Sequence, residues 1–294
     1  MVLVAGATGV LGSEIVRRLL AKGEKVRAIV RSTSNPDSVA ALNKSGVQTV
    51  VADLKDPSSL DPACEGVEAV ISSVTAVTTA KEGDSFAATD GRGNKNLIDA
   101  ARRAGAEKFV FVSFDANYFP AAPLADAKVD AEQHLIESGL NFTILHPSFF
   151  CESWLGPMLF ADPVAGTARI YGDGNRKISY IAVDDVAELA VQSLTNPAAS
   201  NAVIPFGGPE EITQREALEL FEKTTGKKFD VTVLSEESLE AQWQAAKDPF
   251  EKSLAALFLG LARGFDSGFN PAFDKFPMNM TSARDWIEKH ARPN

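Results

Sequence analysis

The sequence predicts a doubly wound parallel α/β sheet with a smaller C-terminal α/β lobe, and three observations carry that prediction. Residues 1–31 read as strand, glycine-rich turn, helix and strand. Short apolar runs then alternate with helical patterns as far as residue 150, giving five or six strands, the rhythm of a parallel sheet covered by helices on both faces. From about residue 151 that rhythm breaks. The first domain is therefore placed at 1–150, with a return segment at about 178–206, and the lobe at 151–177 and 207–294.

The opening unit is the most informative. Val2-Leu3-Val4-Ala5 is an apolar strand, followed by Gly6-Ala7-Thr8-Gly9-Val10-Leu11-Gly12. A helix comes next, with Ile15, Val16, Leu19 and Leu20 on one face and Gly23 at its end, then a second strand from Val26 to Val30. In such a unit Gly6 turns the chain off the strand, Gly9 lets a pyrophosphate approach the backbone, and Gly12 lets the helix pack tightly on the sheet. Free N–H groups and the positive end of the helix dipole then face the anion. The strand-to-helix context makes this the dinucleotide motif of the Rossmann fold, with Thr8, Val10 and Leu11 as the backbone around its glycines. Arg31 ends the second strand, where an NAD site carries Asp or Glu for the ribose 2′-hydroxyl. Arg31 followed by Ser32, Thr33 and Ser34 suits a 2′-phosphate, so NADP(H) is favoured over NAD(H).

Asn35-Pro36 marks a turn, and a helix follows around Ser38 to Lys44 before Gly46. The third strand, Val47 to Ala52, closes in Asp53-Leu54 at the ligand side of the sheet. Asp53 has two readings: an acceptor for the adenine amino group, or a helix cap ahead of Pro57 and Ser58. A short helix from Ser58 to Cys64 precedes the fourth strand, Val67 to Ser72. Ser73, Val74 and Thr75 are small residues that let backbone pass close to a cofactor. Phe86 to Ala104 reads as a helix weakened by Gly91 and Gly93, with Asn94, Leu97, Ile98 and Ala101 facing inward. The fifth strand, Lys108 to Val112, ends at Ser113-Phe114, and a loop over 115–123 holds Tyr118. Ala125 to Ser138 is a helix stopped by Gly139. The sixth strand, Asn141 to Leu145, runs into His146-Pro147-Ser148-Phe149-Phe150.

In the lobe, Gly172-Asp173-Gly174-Asn175 is a tight turn, and Ile178 to Val183 reads as a short strand. Asp184 is placed to cap a helix to Leu194. Ala202 to Phe206 is strand-like and suited to rejoin the main sheet. Thr213 to Thr225 is a helix with Thr213 and Glu216 as a capping box. A short strand at Val231 to Leu234 precedes helix from Ser235 to Phe265, broken by Pro249. Residues 264–278, rich in Gly, Phe and Pro, suit a mobile pocket edge, and a last helix covers roughly Ser282 to Ala291.

Composition sets the bounds. The chain has 294 residues, a formal net charge of −10 and a pI near 4.9, which argues against nucleic acid or anionic membrane as a partner. Cys64 and Cys151 show no pairing pattern, which fits a reducing compartment. The first strand begins at residue 2, leaving no room for a signal peptide, so the expected location is cytoplasmic, or a reducing organelle stroma after removal of a transit peptide. The longest apolar stretch, Leu254 to Ala262, falls short of the ~20 residues a membrane helix needs. His134, His146 and His290 are widely spaced, and no metal-ligand spacing occurs. Cys151 lacks a base placed to activate it, and His146 belongs to no visible triad.

Gly6 to Gly12, then Val30-Arg31-Ser32, then Ala52-Asp53-Leu54, resemble the atypical short-chain dehydrogenase/reductases. Within these the chain is most similar to the NmrA-like group, which includes the isoflavone and phenylcoumaran reductases. Lys128, the Pro147-Ser148-Phe149-Phe150 run and Asp184-Asp185-Val186-Ala187 extend the likeness over the whole chain, most strongly over 1–155. The resemblance implies that Lys128 holds the nicotinamide ribose and is the candidate proton donor, that Ser113 lies near the nicotinamide, and that backbone at Pro147-Ser148-Phe149 meets the carboxamide. One departure bears on mechanism. Ordinary members carry a tyrosine four residues before the lysine, and here that position is Leu124. Lys128 also has Glu132 at i+4, a reversed-order ion pair.

The implied work is hydride transfer from NADPH to a small hydrophobic electrophile, a quinone, enone, imine or carbonyl. Phe149, Phe150, Trp154 and Phe206 would shape a site for a flat substrate. The alternative is a non-catalytic NADP(H)-sensing regulator with a protein partner, as in the regulators of the group. A third reading is an assembly factor for electron carriers.

Overall fold

The computed structural model describes residues 1–77, 83–264 and 272–292, with the side chains of 272 and 273 left aside. In its first part β1 (Val2–Ala5), α1 (Val10–Ala21), β2 (Val26–Val30), α2 (Pro36–Lys44), β3 (Gln48–Val51), α3 (Pro57–Cys64) and β4 (Ala69–Ser72) alternate without exception. A π-helical stretch, Phe86–Gly93, then runs into α4 (Asn94–Arg103), followed by β5 (Lys108–Val112), a 3₁₀ turn at Ala116–Tyr118, α5 (Pro123–Glu137) and β6 (Asn141–Pro147). Short elements come next: α6 (Cys151–Trp154), β7 (Ala161–Asp162), β8 (Thr167–Tyr171) and β9 (Lys177–Ile178). The chain continues through α7 (Val183–Gln192), β10 (Ala202–Phe206), β11 (Ile212–Thr213), α8 (Gln214–Thr225), β12 (Asp230–Leu234), α9 (Glu236–Ala245), α10 (Pro249–Arg263), α11 (Ala272–Lys275) and α12 (Ala283–His290).

Seven strands form the main sheet in the order β10-β6-β5-β4-β1-β2-β3, with every pair from β3 to β6 parallel. The chain winds outward through β2 and β3, then returns to the other side of β1 with β4. That reversal creates the crevice where ligands bind in open α/β sheets. β4 and β5 are buried along their whole length, as parallel strands with helices on both faces must be.

The chain divides into two compact units: Met1–Phe114 with Pro123–His146 and Val186–Ile204, and Asp115–Ala122 with Pro147–Asp185 and Pro205–Asn294. Val186–Ile204 thus belongs to the first unit and the loop over 115–122 to the second. In the first, Phe109, Phe111 and Ile144 from the sheet pack with Leu97, Ile98 and Leu135 from α4 and α5. Each such side chain contributes roughly 1.5–3 kcal/mol on burial. The second has its own core, with Phe149, Leu155, Ile170, Tyr180, Phe221 and Leu259 among its members. Its small sheet has the order β12-β8-β7, and α8 opens on the reciprocal Thr213–Glu216 box.

Several expectations need correction. The strand read from Ile178 to Val183 is only Lys177–Ile178, paired with β11. Its continuation changes partner: the Ser179 carbonyl accepts from Gly208, and Ile181 exchanges bonds with Phe149 and Cys151, so no single ladder runs through. Asp184 does not cap α7. The helix begins at Val183, whose N–H donates to the Glu152 carboxylate (3.0 and 3.1 Å), and Asp184 and Asp185 lie in the first turn. The helix read from Phe86 to Ala104 is π-helical through Gly93, where the two glycines weaken the ordinary ladder. Of the segment 264–278, residues 265–271 lie outside the described residues.

Candidate functional site

The glycine turn lies at the reversal of strand order. Gly6 has φ +87°, and a Cβ there would stand 2.7 Å from the Ser73 Oγ at the end of β4. The Ser73 N–H donates to the Ala5 carbonyl (3.1 Å), which ties the ends of β1 and β4 together. A Cβ on Gly12 would fall 2.0 Å from the Gly6 carbonyl oxygen, so α1 approaches its own turn as only glycine allows. Gly9 is the N-cap of α1 in extended conformation, with no side-chain cap and no acid in the first turn. The helix therefore presents its positive end without an internal counter-charge. Thr8 and Val10 are exposed at this turn, and Leu11 is buried behind it.

Arg31 emerges from β2 and bonds Asp84 through Nη1–Oδ2 at 2.7 Å. Lys55, just beyond β3, takes the other oxygen of the same carboxylate, Nζ–Oδ1 at 2.5 Å. The Asp84 side chain is 2% exposed, whereas Arg31 and Lys55 keep 27% and 28% of theirs in solvent. The hydrogen bond from Lys55 to Asp84 is the main reason its pKa is raised. Ser32 is exposed beside Arg31, and the Ser34 hydroxyl accepts from the Arg31 N–H (2.9 Å). Asp53 is not the cap of α3; Asp56 is. Asp53 Oδ1 accepts the Lys55 N–H at 2.9 Å and is half-buried, and Leu54 is buried beneath with its carbonyl on Asn96 (2.8 Å).

Lys128 is buried on α5 and ties three segments together. Its Nζ donates to the Val74 carbonyl (3.0 Å) and the Val112 carbonyl (3.4 Å), at the ends of β4 and β5. It also stands 3.4 Å from Oδ1 of the fully buried Asp90 and 4.8 Å from the Phe111 ring centroid. The other Asp90 oxygen accepts from the Ala76 N–H (2.9 Å). The expected ion pair with Glu132 does not form. Glu132 turns instead to His146 Nε2 (3.0 Å) and accepts the Ser113 hydroxyl, because both lie at the ends of the strands that α5 covers.

All three tyrosines belong to the second unit. Tyr180 is fully buried, and desolvation pushes its phenol far above the ordinary value; Tyr171 is pushed to about 12 for the same reason. Tyr118 is exposed. Cys151 is wholly buried and its thiol is driven upward by desolvation, which leaves it unreactive. Pro147, Ser148 and Phe149 lie in the second unit and are buried; the Ser148 hydroxyl has no hydrogen-bond partner there. Phe149 meets Trp154 edge-on (4.6 Å between centroids) and Phe119 at 5.9 Å. Phe206 is buried to 1% exposure, so its ring fills core and does not line a substrate site. Among the described residues no three His, Cys, Asp or Glu side chains converge as metal ligands, and no helix is long and apolar enough to cross a membrane.

Sequence reasoning put Arg31, Ser73, Val74 and Ser113 just past strand ends, Gly6–Gly12 between β1 and its following helix, and Lys128 on the helix before the sixth strand; in the structure these positions lie in the first unit, and Phe114 closes that segment. It missed Asp84, Asp90, Lys55 and the Ser113–Glu132–His146 cluster. Asp84 and Asp90 flank a helix start far from the groups they bind. Only an acid repeated six residues apart before that helix could have drawn attention to them.

The sequence model of the NmrA-like family matches residues 1–266. The photosystem II assembly factor Ycf39 of Cyanophora paradoxa is 33% identical over 233 residues, 79% of this chain and 70% of that protein. The isoflavone reductase homolog IRL of Zea mays is 31% identical over 284 residues, 91% of this chain and 88% of that protein. A structure of the NADPH-dependent quinone oxidoreductase of Escherichia coli complexed with NADPH superposes with a TM-score of 0.78 at 25% identity, covering 98% of this chain and 99% of that one.

Proposed function

The chain belongs to the NmrA-like family, and from that premise we propose that it is an NADPH-dependent reductase of a small hydrophobic electrophile. The observation that carries the reading is the uncapped N-terminus of α1 above the Gly6–Gly12 turn, at the reversal of strand order. The turn and helix end fit a pyrophosphate, the partly exposed cations Arg31 and Lys55 fit an anion beyond it, and Asp53 offers an acceptor for an adenine amino group. Ser32 and Leu54 would flank the adenosine, and Ser73, Val74, Ser113 and Phe114 the remainder along the strand ends.

NADPH supplies the hydride when bound. Lys128 fixes the ends of β4 and β5 through two backbone carbonyls and is balanced by Asp90. To hold a ribose hydroxyl it would exchange one of those carbonyls for the sugar. The reduced dinucleotide requires no tyrosine when the acceptor takes its proton from Lys128 or water. Relatives that support this reading include the quinone oxidoreductase and the isoflavone reductase homolog.

A second reading is a dinucleotide-binding assembly factor or regulator with a protein partner. The likeness to the photosystem II assembly factor and Leu124 at the tyrosine position favour it. A paired titration of NADPH and NADP⁺ against the purified protein tests the first reading. NADPH binding at least as tight as NADP⁺, with oxidation of NADPH on adding quinones or enones, supports the reductase. Preference for NADP⁺ without turnover supports the second reading, and no binding of either overturns both.

A further inference from the structure

We propose that Lys55 is a second determinant of cofactor choice, a phosphate-recognising cation that acts with Arg31 at the 2′-position; this rests on the NADP(H) reading above. The sequence gives no hint of it, because Lys55 follows β3 and lies 24 positions beyond Arg31. The structure brings the two cations to one carboxylate. Arg31 takes one Asp84 oxygen at 2.7 Å and Lys55 the other at 2.5 Å.

The charge balance makes Lys55 decisive. A buried Asp84 cancels one positive charge. With Arg31 alone one cation would face two carboxylates, Asp84 and the Asp53 that stands 3.7 Å from Lys55, and they would repel an incoming phosphate. Lys55 supplies the second cation against these acids, and like Arg31 it still reaches solvent, while the Asp84 side chain between them is sealed at 2% exposure. Both cations are held within one carboxylate's span, so a phosphate carrying several acceptor oxygens can bridge them with little further ordering. The same arrangement disfavours NAD(H), because the end of β2 that carries an acid for the ribose 2′-hydroxyl in an NAD site carries Arg31 here. The raised pKa of Lys55 keeps it protonated through the physiological range.

The test is calorimetric titration of adenosine 2′,5′-bisphosphate and of 5′-AMP into wild-type protein, Lys55→Gln and Lys55→Arg. Gln removes the charge and keeps a hydrogen-bond donor, and a thermal melt verifies that the fold is retained. The wild type is expected to prefer the bisphosphate. Lys55→Gln should lose that preference by about tenfold or more, the scale of a charge-assisted hydrogen bond. Its affinity for 5′-AMP should be unchanged, and Lys55→Arg should restore most of the preference. An unchanged preference in Lys55→Gln overturns the assignment and leaves Lys55 as a counter-ion of Asp84, with the NADP(H) reading intact. Wild-type protein that binds NADH and NADPH equally also overturns it. Wild-type protein that binds no adenine nucleotide overturns the cofactor reading, and this assignment with it.

Discussion

Lys128 and Asp90 are both buried, and neither can lose its partner without consequence. Lys128→Met leaves a carboxylate sealed from water with no cation, which is expected to cost about 3–5 kcal/mol of stability. Adding Asp90→Asn removes the orphaned charge, so the double variant should recover a substantial part of that loss in urea denaturation. Additive losses would show that the two side chains do not interact. The result matters for any activity assay, since a Lys128→Ala protein that is inactive because it unfolds says nothing about proton transfer. Lys108 presents a different case. It is buried at the far end of β5, donating to the Asn141 side chain (2.9 Å) and the Ala199 carbonyl (2.8 Å), and desolvation lowers its pKa from 10.5 to about 8. Between those values the unfolded chain holds a proton that the folded chain has released. Its contribution to stability therefore rises with pH across that window, by on the order of 3 kcal/mol. Lys108→Met should thus gain on wild type at pH 7 and lose that advantage by pH 10 in paired denaturation curves. An equal difference at both pH values would refute the argument.

Elements were legible where one local signal decides them. Thr213 accepts the Glu216 N–H at 3.1 Å and the Glu216 carboxylate accepts the Thr213 N–H at 2.8 Å, as the four-residue pattern predicts. Thr213→Ala is expected to cost ~1 kcal/mol, read as a lower melting temperature. The glycine turn was legible for the same reason, since its demand is backbone geometry. Gly12→Ala would put a methyl group 2.0 Å from the Gly6 oxygen. It should lift α1 from its turn, destabilise by roughly 1–3 kcal/mol and weaken binding of NADP(H), measured by melting and titration together. The strands β7 and β8 were not legible, and β9 reads in the sequence as running on to Val183. Two of them are two residues long, and β8 buries its last two residues together, which blurs a period of two. The π-helical stretch was seen only as a weakness at Gly91 and Gly93. Two acids, Asp84 just before it and Asp90 within it, give it a purpose that appears only when β2, β3 and α5 are in place.

For the whole molecule, strand order followed from the alternation of patterns, and the reversal between β1 and β4 set the place of the candidate site. The chain crosses between the two units at Phe114, Ala122, His146, Asp185 and Ile204. With NADP⁺ at a hundred times its dissociation constant, stability should rise by about 2.7 kcal/mol. If the units unfold in separate steps, calorimetry should show the gain in the step that melts Met1–Phe114 and its companions, and a gain confined to the other step would contradict the site proposed here. The sheet also has a history built into it. β6 is complete at Pro147, but its outer neighbour β10 begins only at Ala202, so 54 residues must leave the ribosome before that edge is covered. At ~5–20 residues per second this leaves a nascent sheet with an open edge for several seconds. A bare strand edge is a template for pairing with another chain, so synthesis at high polysome density is the stage at which this protein is most exposed to aggregation.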